Sequence, residues 1–288
     1  MPLLYRGKRS PAVAGMFYEA DADTLKAQIE WAFKHPIGPG RLPEPKTTRK
    51  RESIGFVVPH AGYMYSGPIA AHSYYRLALE GAPETIIIIG PNHTGLGSLV
   101  SVYPEGEWLT PLGSVKVDSE LSRAIAANSD YADLDEKAHL YEHSVEVQLP
   151  FLQYIFGSSF RIVPIVVWDQ SPRFMQDLAK AIRLAVDQLS RDIVIIASTD
   201  FTHYEPYETA YRKDKLAIDA IVSLDPDKLY KVIEENNISM CGPGAVATLL
   251  YYARSRGAKG AELLRYATSG DTSGDKSSVV GYAAIRVY

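Results

Sequence analysis

Three apolar runs of this chain each lead, within a few residues, into a histidine. Ile54 to Val58 is followed by Pro59-His60-Ala61-Gly62, and Ile86 to Ile89 by Gly90-Pro91-Asn92-His93. Ile193 to Ala197 is followed by Ser198-Thr199-Asp200-Phe201-Thr202-His203. Three of the seven histidines thus stand at run ends, and the joint placement sets them apart from scattered surface histidines. Imidazole nitrogens bind metals and carry protons near neutral pH. His60, His93 and one further donor would make a three-ligand metal site with open positions, suited to iron, copper or zinc. The residue types leave Cys241, Asp200 and His203 all open for the third place.

Cys241 lies in Ser239-Met240-Cys241-Gly242-Pro243-Gly244, a Gly/Pro turn at the start of an expected helix. A helix N-terminus lowers a thiol's pKa, so a reactive thiolate is one expectation and an inert buried thiol the other. Asp200 and His203 can meet in a tight turn, with the acid orienting the ring as a proton carrier. The same residues could equally start a helix as caps. Glu142-His143 precedes an amphipathic stretch, Ser144 to Tyr154, where polar residues at a helix N-terminus often face a site. His139 is not expected to pair with His143 on a metal, and His35 and His72 read as loop and helix-surface residues.

Elements must bring these residues together. The four consecutive isoleucines Ile86 to Ile89 and the run Ile193 to Ala197 are apolar on both faces, the mark of central strands in a covered sheet. A further strand is expected over Arg161 to Val167, with Pro164 pointing to an edge or bulge. Leu99 to Tyr103 and two C-terminal stretches, Glu262 to Thr268 and Ser278 to Val287, complete the strands. Helices are predicted after Asp23 or Thr24 as cap, with Leu25, Ile29 and Phe33 on one face. Others fall over Ile69 to Leu79, Ser119 to Ala127, Ser144 to Tyr154, Phe174 to Leu189, Thr209 to Val222, Pro226 to Asn236 and Gly244 to Arg254. His35 to Arg51, rich in Pro, Gly and basic residues, reads as an exposed loop. The alternation predicts a single α/β domain over 1–288, with helices on both faces of a mixed, largely parallel sheet. Ligands of such sheets bind beyond the carboxyl ends of the strands, where the histidines stand.

Composition narrows the classes. The 288 residues carry 30 Lys+Arg against 34 Asp+Glu, a net charge of −4, which gives no electrostatic reason to expect nucleic-acid binding. Hydrophobic residues at 46% exclude a disordered chain. The single cysteine excludes an internal disulfide. No apolar run approaches the ~18 residues of a membrane span, and Met1 to Arg9 lacks the apolar middle of a signal peptide. The expectation is a cytoplasmic protein with no membrane partner. Gly95-Leu96-Gly97 lacks the third glycine of a dinucleotide fingerprint.

Six segments together resemble the Memo family: Pro59-His60-Ala61-Gly62-Tyr63-Met64-Tyr65-Ser66-Gly67, Gly90-Pro91-Asn92-His93, Glu142-His143-Ser144-Val145-Glu146, Ser198 to Tyr204, Cys241-Gly242 and Gly270 to Asp275. The similarity runs from about Arg9 to Tyr288 and suggests a microbial, archaeal member. Memo proteins in turn resemble the class III extradiol dioxygenases, which hold non-haem Fe(II). That resemblance implies a three-layer α/β/α sandwich. It implies His60, His93 and Cys241 as metal ligands, and His203, with Asp200 beside it, and His143 as catalytic or pocket residues. The dioxygenases use a carboxylate where Cys241 stands here; a thiolate shifts preference toward copper or zinc while retaining iron.

Three functions follow as expectations. The first is a metal-dependent oxidoreductase or dioxygenase-like protein, with iron or copper (or zinc) as cofactor, acting on an unidentified small molecule or peptide. The second is a non-catalytic module that binds an anionic, aromatic or phosphopeptide-type ligand in the same cleft. The third is a metal-free hydrolase with Cys241 as nucleophile and His203 as base. The sequence fixes no oligomeric state.

Overall fold

A computed structural model describes residues 7–288. The first six residues, part of the N-terminal stretch discussed above, lie outside the described residues. In chain order the strands are β1 (Lys8–Arg9), β2 (Gly55–Val58), β3 (Thr85–Pro91), β4 (Val100–Val102), β5 (Glu107–Thr110), β6 (Gly113–Val117), β7 (Ala132–Leu134), β8 (Arg161–Val167), β9 (Ile193–Ser198), β10 (His203–Glu205), β11 (Ala261–Thr268) and β12 (Val279–Val287). The helices are α1 (Ala22–Lys34), α2 (Tyr63–Ala78), α3 (Ser119–Ala127), α4 (Leu149–Phe156), α5 (Pro172–Leu189), α6 (Tyr207–Val222), α7 (Pro226–Asn236), α8 (Pro243–Ser255) and the short α9 (Ser269–Ser273).

One mixed sheet runs β1-β5-β6-β8-β3-β9-β2-β12-β10, with β11 on β12 and β4 on β8. Its centre, β8-β3-β9-β2, is parallel throughout. Strand alternation splits the isoleucine runs between two cores. Ile87, Ile89, Ile195 and Ala197 pack with α3, α5 and α8, while Ile86, Ile88, Val194 and Ile196 pack with α1, α2 and α4. Covered faces explain why these strands read as unbroken apolar runs. The result is the expected α/β sandwich.

Several local readings need correction. Asp21, not Asp23 or Thr24, caps α1, accepting from the backbone of both. Helix α2 starts at Tyr63, earlier than the periodicity suggests, and carries Pro68 inside it. Pro164 does not mark an edge: β8 lies between β3 and the β6/β4 side. It falls where the neighbour changes from β6, paired at Arg161 and Ile162, to β4, paired from Ile165. The missing N–H therefore leaves no ladder bond unmade, and its carbonyl accepts from Tyr103 N at 2.9 Å. The helix expected from Ser144 is instead a 3₁₀ turn, Glu146–Gln148, leading into α4. Glu142 captures the backbone N–H groups of His143 and Ser144, which holds that stretch out of a helix.

Candidate metal centre

Because β2, β9 and β3 are parallel neighbours, with Val58 level with Ser198 and Ile89 level with Ala197, their carboxyl ends share one edge. His60 follows β2, His93 follows β3 and Asp200 follows β9. A fourth segment reaches that edge between the 3₁₀ turns Lys137–His139 and Glu146–Gln148, and it carries His143. Gly90 allows the approach: a Cβ there would lie 2.4 Å from Ser144 Oγ, and Ser144 donates to Pro91 O at 2.9 Å. One donor atom each from His60, His93 and His143 then lies within 4.8 Å of the other two. The ring centroids are 5.3 Å apart for His60–His93 and His60–His143, and 4.5 Å for His93–His143.

Supporting hydrogen bonds fix which nitrogens face the cleft. Ser198 donates its hydroxyl hydrogen to Ser144 O at 2.6 Å, so toward His60 Nδ1, 2.9 Å away, it can only accept. Gln148 Nε2 donates to the same hydroxyl at 2.8 Å. His60 thus carries its proton on Nδ1 and offers the Nε2 lone pair. Glu142 accepts from His93 Nδ1 at 3.0 Å and from His93 N, and its Oε1 lies 3.4 Å from His143 Nδ1. Burial pushes the Glu142 carboxyl up, but the His93 hydrogen bond, the imidazoles and the Ser144 N–H outweigh it and hold the pKa near 2. Burial drives His60 well below the usual imidazole range and His143 down to about 4, so both offer neutral lone pairs near pH 7.

The remaining predicted residues divide. Asp200 turns to His60 and not to His203: Oδ1 accepts from His60 N at 2.8 Å and Oδ2 lies 4.0 Å from His60 Nε2. Burial raises its pKa to about 6. His203 is held by another segment, donating Nδ1–H to Ser239 O at 2.7 Å and its backbone N–H to Ser239 Oγ. The Ser198–Asp200 turn starts no helix; β10 follows. Cys241 Sγ stands 3.2 Å from His60 Nε2 and accepts from Asp200 N at 3.2 Å. Its thiol departs from the low-pKa expectation. Burial, then the Asp200 charge, pushes it far up, and Gly242, not Cys241, is the residue at the N-cap of α8. Gly242 permits that turn, since a Cβ there would meet Ser198 O at 2.6 Å.

The profile of the family described as Memo-like protein matches residues 9–286. The chain belongs to the Memo-like family. It is 57% identical over 281 residues to a MEMO1 family protein of Desulfurococcus amylolyticus, spanning 98% of this chain and 99% of that one. MEMO1 family proteins of Ignicoccus hospitalis and Sulfolobus acidocaldarius are 56% and 55% identical, each over 96% of this chain and 98% of their own. All three relatives are archaeal.

In this Memo-like chain the histidines line a cleft of about 690 Å³, together with Asp200, His203, Phe17, Tyr65 and Tyr282. No lysine or arginine is among its described lining residues. Among the described residues, no helix is long and apolar enough to cross a membrane. Reading the sequence alone missed Ser198 and Gln148 as supports and Phe17 as a wall, its ring 4.5 Å from that of His143. Nothing local marks Phe17, which arrives from the other end of the chain.

Proposed function

We propose that this protein is a metal-dependent, oxidoreductase-like member of its family whose cleft takes a small organic substrate. The observation that carries the reading is the convergence of three imidazoles, two of which, His60 and His93, have supports that pin the proton on the far nitrogen. That is the donor chemistry a divalent or redox metal requires. His60 and His93 would hold the metal, with His143 as the third donor and Cys241 within reach of the same face. Iron or copper bound there would supply a positive centre and one-electron chemistry. Asp200, with a pKa near 6, is poised to hold or release a proton beside His60. His203, oriented by Ser239 O, presents Nε2 for proton exchange with a bound molecule. The aromatic rings of Phe17, Tyr65 and Tyr282 flank the space and limit water.

Two other readings lose support. A metal-free thiol hydrolase needs a thiolate beside a base, but burial keeps the Cys241 thiol protonated, and its imidazole contact is His60, not His203. A phosphopeptide module needs guanidinium or ammonium donors, and the described lining has none. Metal content of freshly purified, tag-free protein tests the proposal: stoichiometric iron or copper supports it. His143→Ala and Cys241→Ser compared side by side identify the third donor. Absence of metal, with no uptake on adding Fe(II), Cu(II) or Zn(II), would refute it.

A further inference from the structure

Away from the cleft, the most deeply buried ion pair among the described residues joins partners 137 residues apart. Arg9, on β1, is 1% exposed and Glu146 fully buried. Arg9 Nη1 donates to Glu146 Oε2 at 2.6 Å, Nε to His139 O at 2.7 Å and Nη2 to Glu142 O at 2.8 Å. Its guanidinium lies 4.0 Å from the centre of the Trp108 ring, on the strand that pairs with β1. Glu146 spends its other acceptor capacity on Ala12 N, Val13 N and the Tyr18 hydroxyl, at 2.8, 3.0 and 2.6 Å.

A buried ion pair adds little net stability, because desolvation offsets the attraction. Its value here lies in what it holds. The stretch from His139 to Glu146 has no strand ladder and only two short 3₁₀ turns. Arg9 spans it, gripping carbonyls at 139 and 142 and the carboxylate at 146. Glu142 is therefore held from both sides: its carbonyl by Arg9, its carboxylate by His93 and by the N–H groups of His143 and Ser144. Through Glu146 the same pair ties down residues 12 to 18, which carry Phe17 against His143.

We infer that Arg9 is a positioning residue for the metal centre, acting through Glu142 to set the orientation of His93 and His143. The inference rests on the metal reading given above. A lysine cannot replace it, because one ammonium cannot serve three divergent acceptors and stack on Trp108.

Two measurements on the full chain test it. The first is Co(II) titration of metal-stripped protein, reading affinity and the visible ligand-field spectrum. The second is the ¹⁵N spectrum of the histidine rings in apo protein, which reports tautomer whether or not metal binds. Arg9→Lys should weaken Co(II) binding roughly 10- to 100-fold, the range for losing a group that supports a ligand, and alter the spectrum. The apo His93 signal should shift from a single Nδ1–H tautomer to a mixture. In a Glu142→Gln background the same substitution should cost less than about twofold more, because the route through Glu142 is already cut. Glu146→Gln, which keeps the shape, provides a second variant should Arg9→Lys fold poorly, and the same changes are expected. Wild-type affinity, spectrum and tautomer in either variant would overturn the inference, as would penalties that multiply in the double variant. Failure of wild-type protein to bind Co(II) would count against the metal reading, while the apo ring signals would still decide Arg9's role.

Discussion

His139 and His143 stand four residues apart and show how little burial alone says about function. Both are pushed far below the usual imidazole range, mainly by burial: His139 to about 3 and His143 to about 4. His139, however, is packed between Tyr103 and Trp108, with ring centroids at 5.3 and 5.7 Å. Its Nε2 donates to Ser101 O at 3.2 Å, and its Nδ1 meets no partner among the described residues. His143 is open to the cleft, and two other imidazoles converge on it. A depressed pKa marks an enclosed ring; a shared focus with neighbouring lone pairs marks a candidate site.

The largest expected effect breaks the two apart. His60→Ala, His93→Ala and His143→Ala should each lower metal affinity by more than the roughly 10–100-fold that loss of a supporting group costs. His139→Gln should leave metal stoichiometry unchanged. Inductively coupled plasma analysis of the four proteins checks it. Metal loss in His139→Gln equal to that in His143→Ala would erase the distinction.

The second prediction uses pH. Folded His139 stays neutral down to about pH 3, whereas the unfolded chain takes up that proton near 6.5. The stability it contributes is therefore fully present above about 6.5 and lost as pH falls toward 3. Denaturant unfolding of the apo protein should show the gap between wild type and His139→Leu closing by about 1.4 kcal/mol per pH unit across that window. A gap independent of pH between 6.5 and 4 would contradict the assignment of His139 as a neutral core ring. His143 contributes with the same sign in apo protein, from 6.5 to about 4. Bound metal should remove that part, because a ligated nitrogen cannot take a proton.

How much of this was legible in the sequence follows the same division. Strands β3 and β9 announce themselves because both faces are covered, and α3 and α7 match their predicted bounds because Asp118 and Asp225 cap them. His60 and His93 were legible because they terminate such strands. The contribution of His143 to the three-imidazole group was not, because its segment is irregular and held by Arg9 and Glu142 from a distance. The choice between a reactive and an inert Cys241, left open by the sequence, has the same origin. The turn at Cys241 is local, but the burial that raises its pKa is set by the folded chain, and the Asp200 charge comes from the segment that follows β9. The β5–β6 hairpin also went unseen, its burial alternating over only four or five residues.

A smaller effect is expected from the two glycines that let those distant segments in. An added methyl costs roughly 1–3 kcal/mol in a packed interior. At Gly90 it would displace Ser144 and with it His143; at Gly242 it would press on Ser198 O and displace Cys241. Both Gly90→Ala and Gly242→Ala should lose stability within that range by thermal or denaturant unfolding. If His143 is the third donor, only Gly90→Ala should also weaken metal binding. The reverse pattern would move Cys241 into that position.

The smallest effect is expected at His203. Its ring is held by Ser239 O at 2.7 Å, on a segment separate from Glu142 and Ser198, the groups that orient the His93 and His60 rings. It lines the cleft but stands outside the group of three donors that lie within 4.8 Å of one another. Removing it takes away neither a donor nor a support of one. His203→Ala should therefore keep its metal, with affinity within about twofold of wild type, well below the roughly tenfold that marks a supporting group. What it should change is proton traffic: any metal-dependent turnover found for this protein should fall in rate while binding is unaltered. Metal stoichiometry beside His60→Ala gives the decisive reading. If His203→Ala strips the metal as thoroughly, the imidazole belongs among the ligands, and the cleft closes around a metal further from the Glu142 segment than the three-histidine focus suggests.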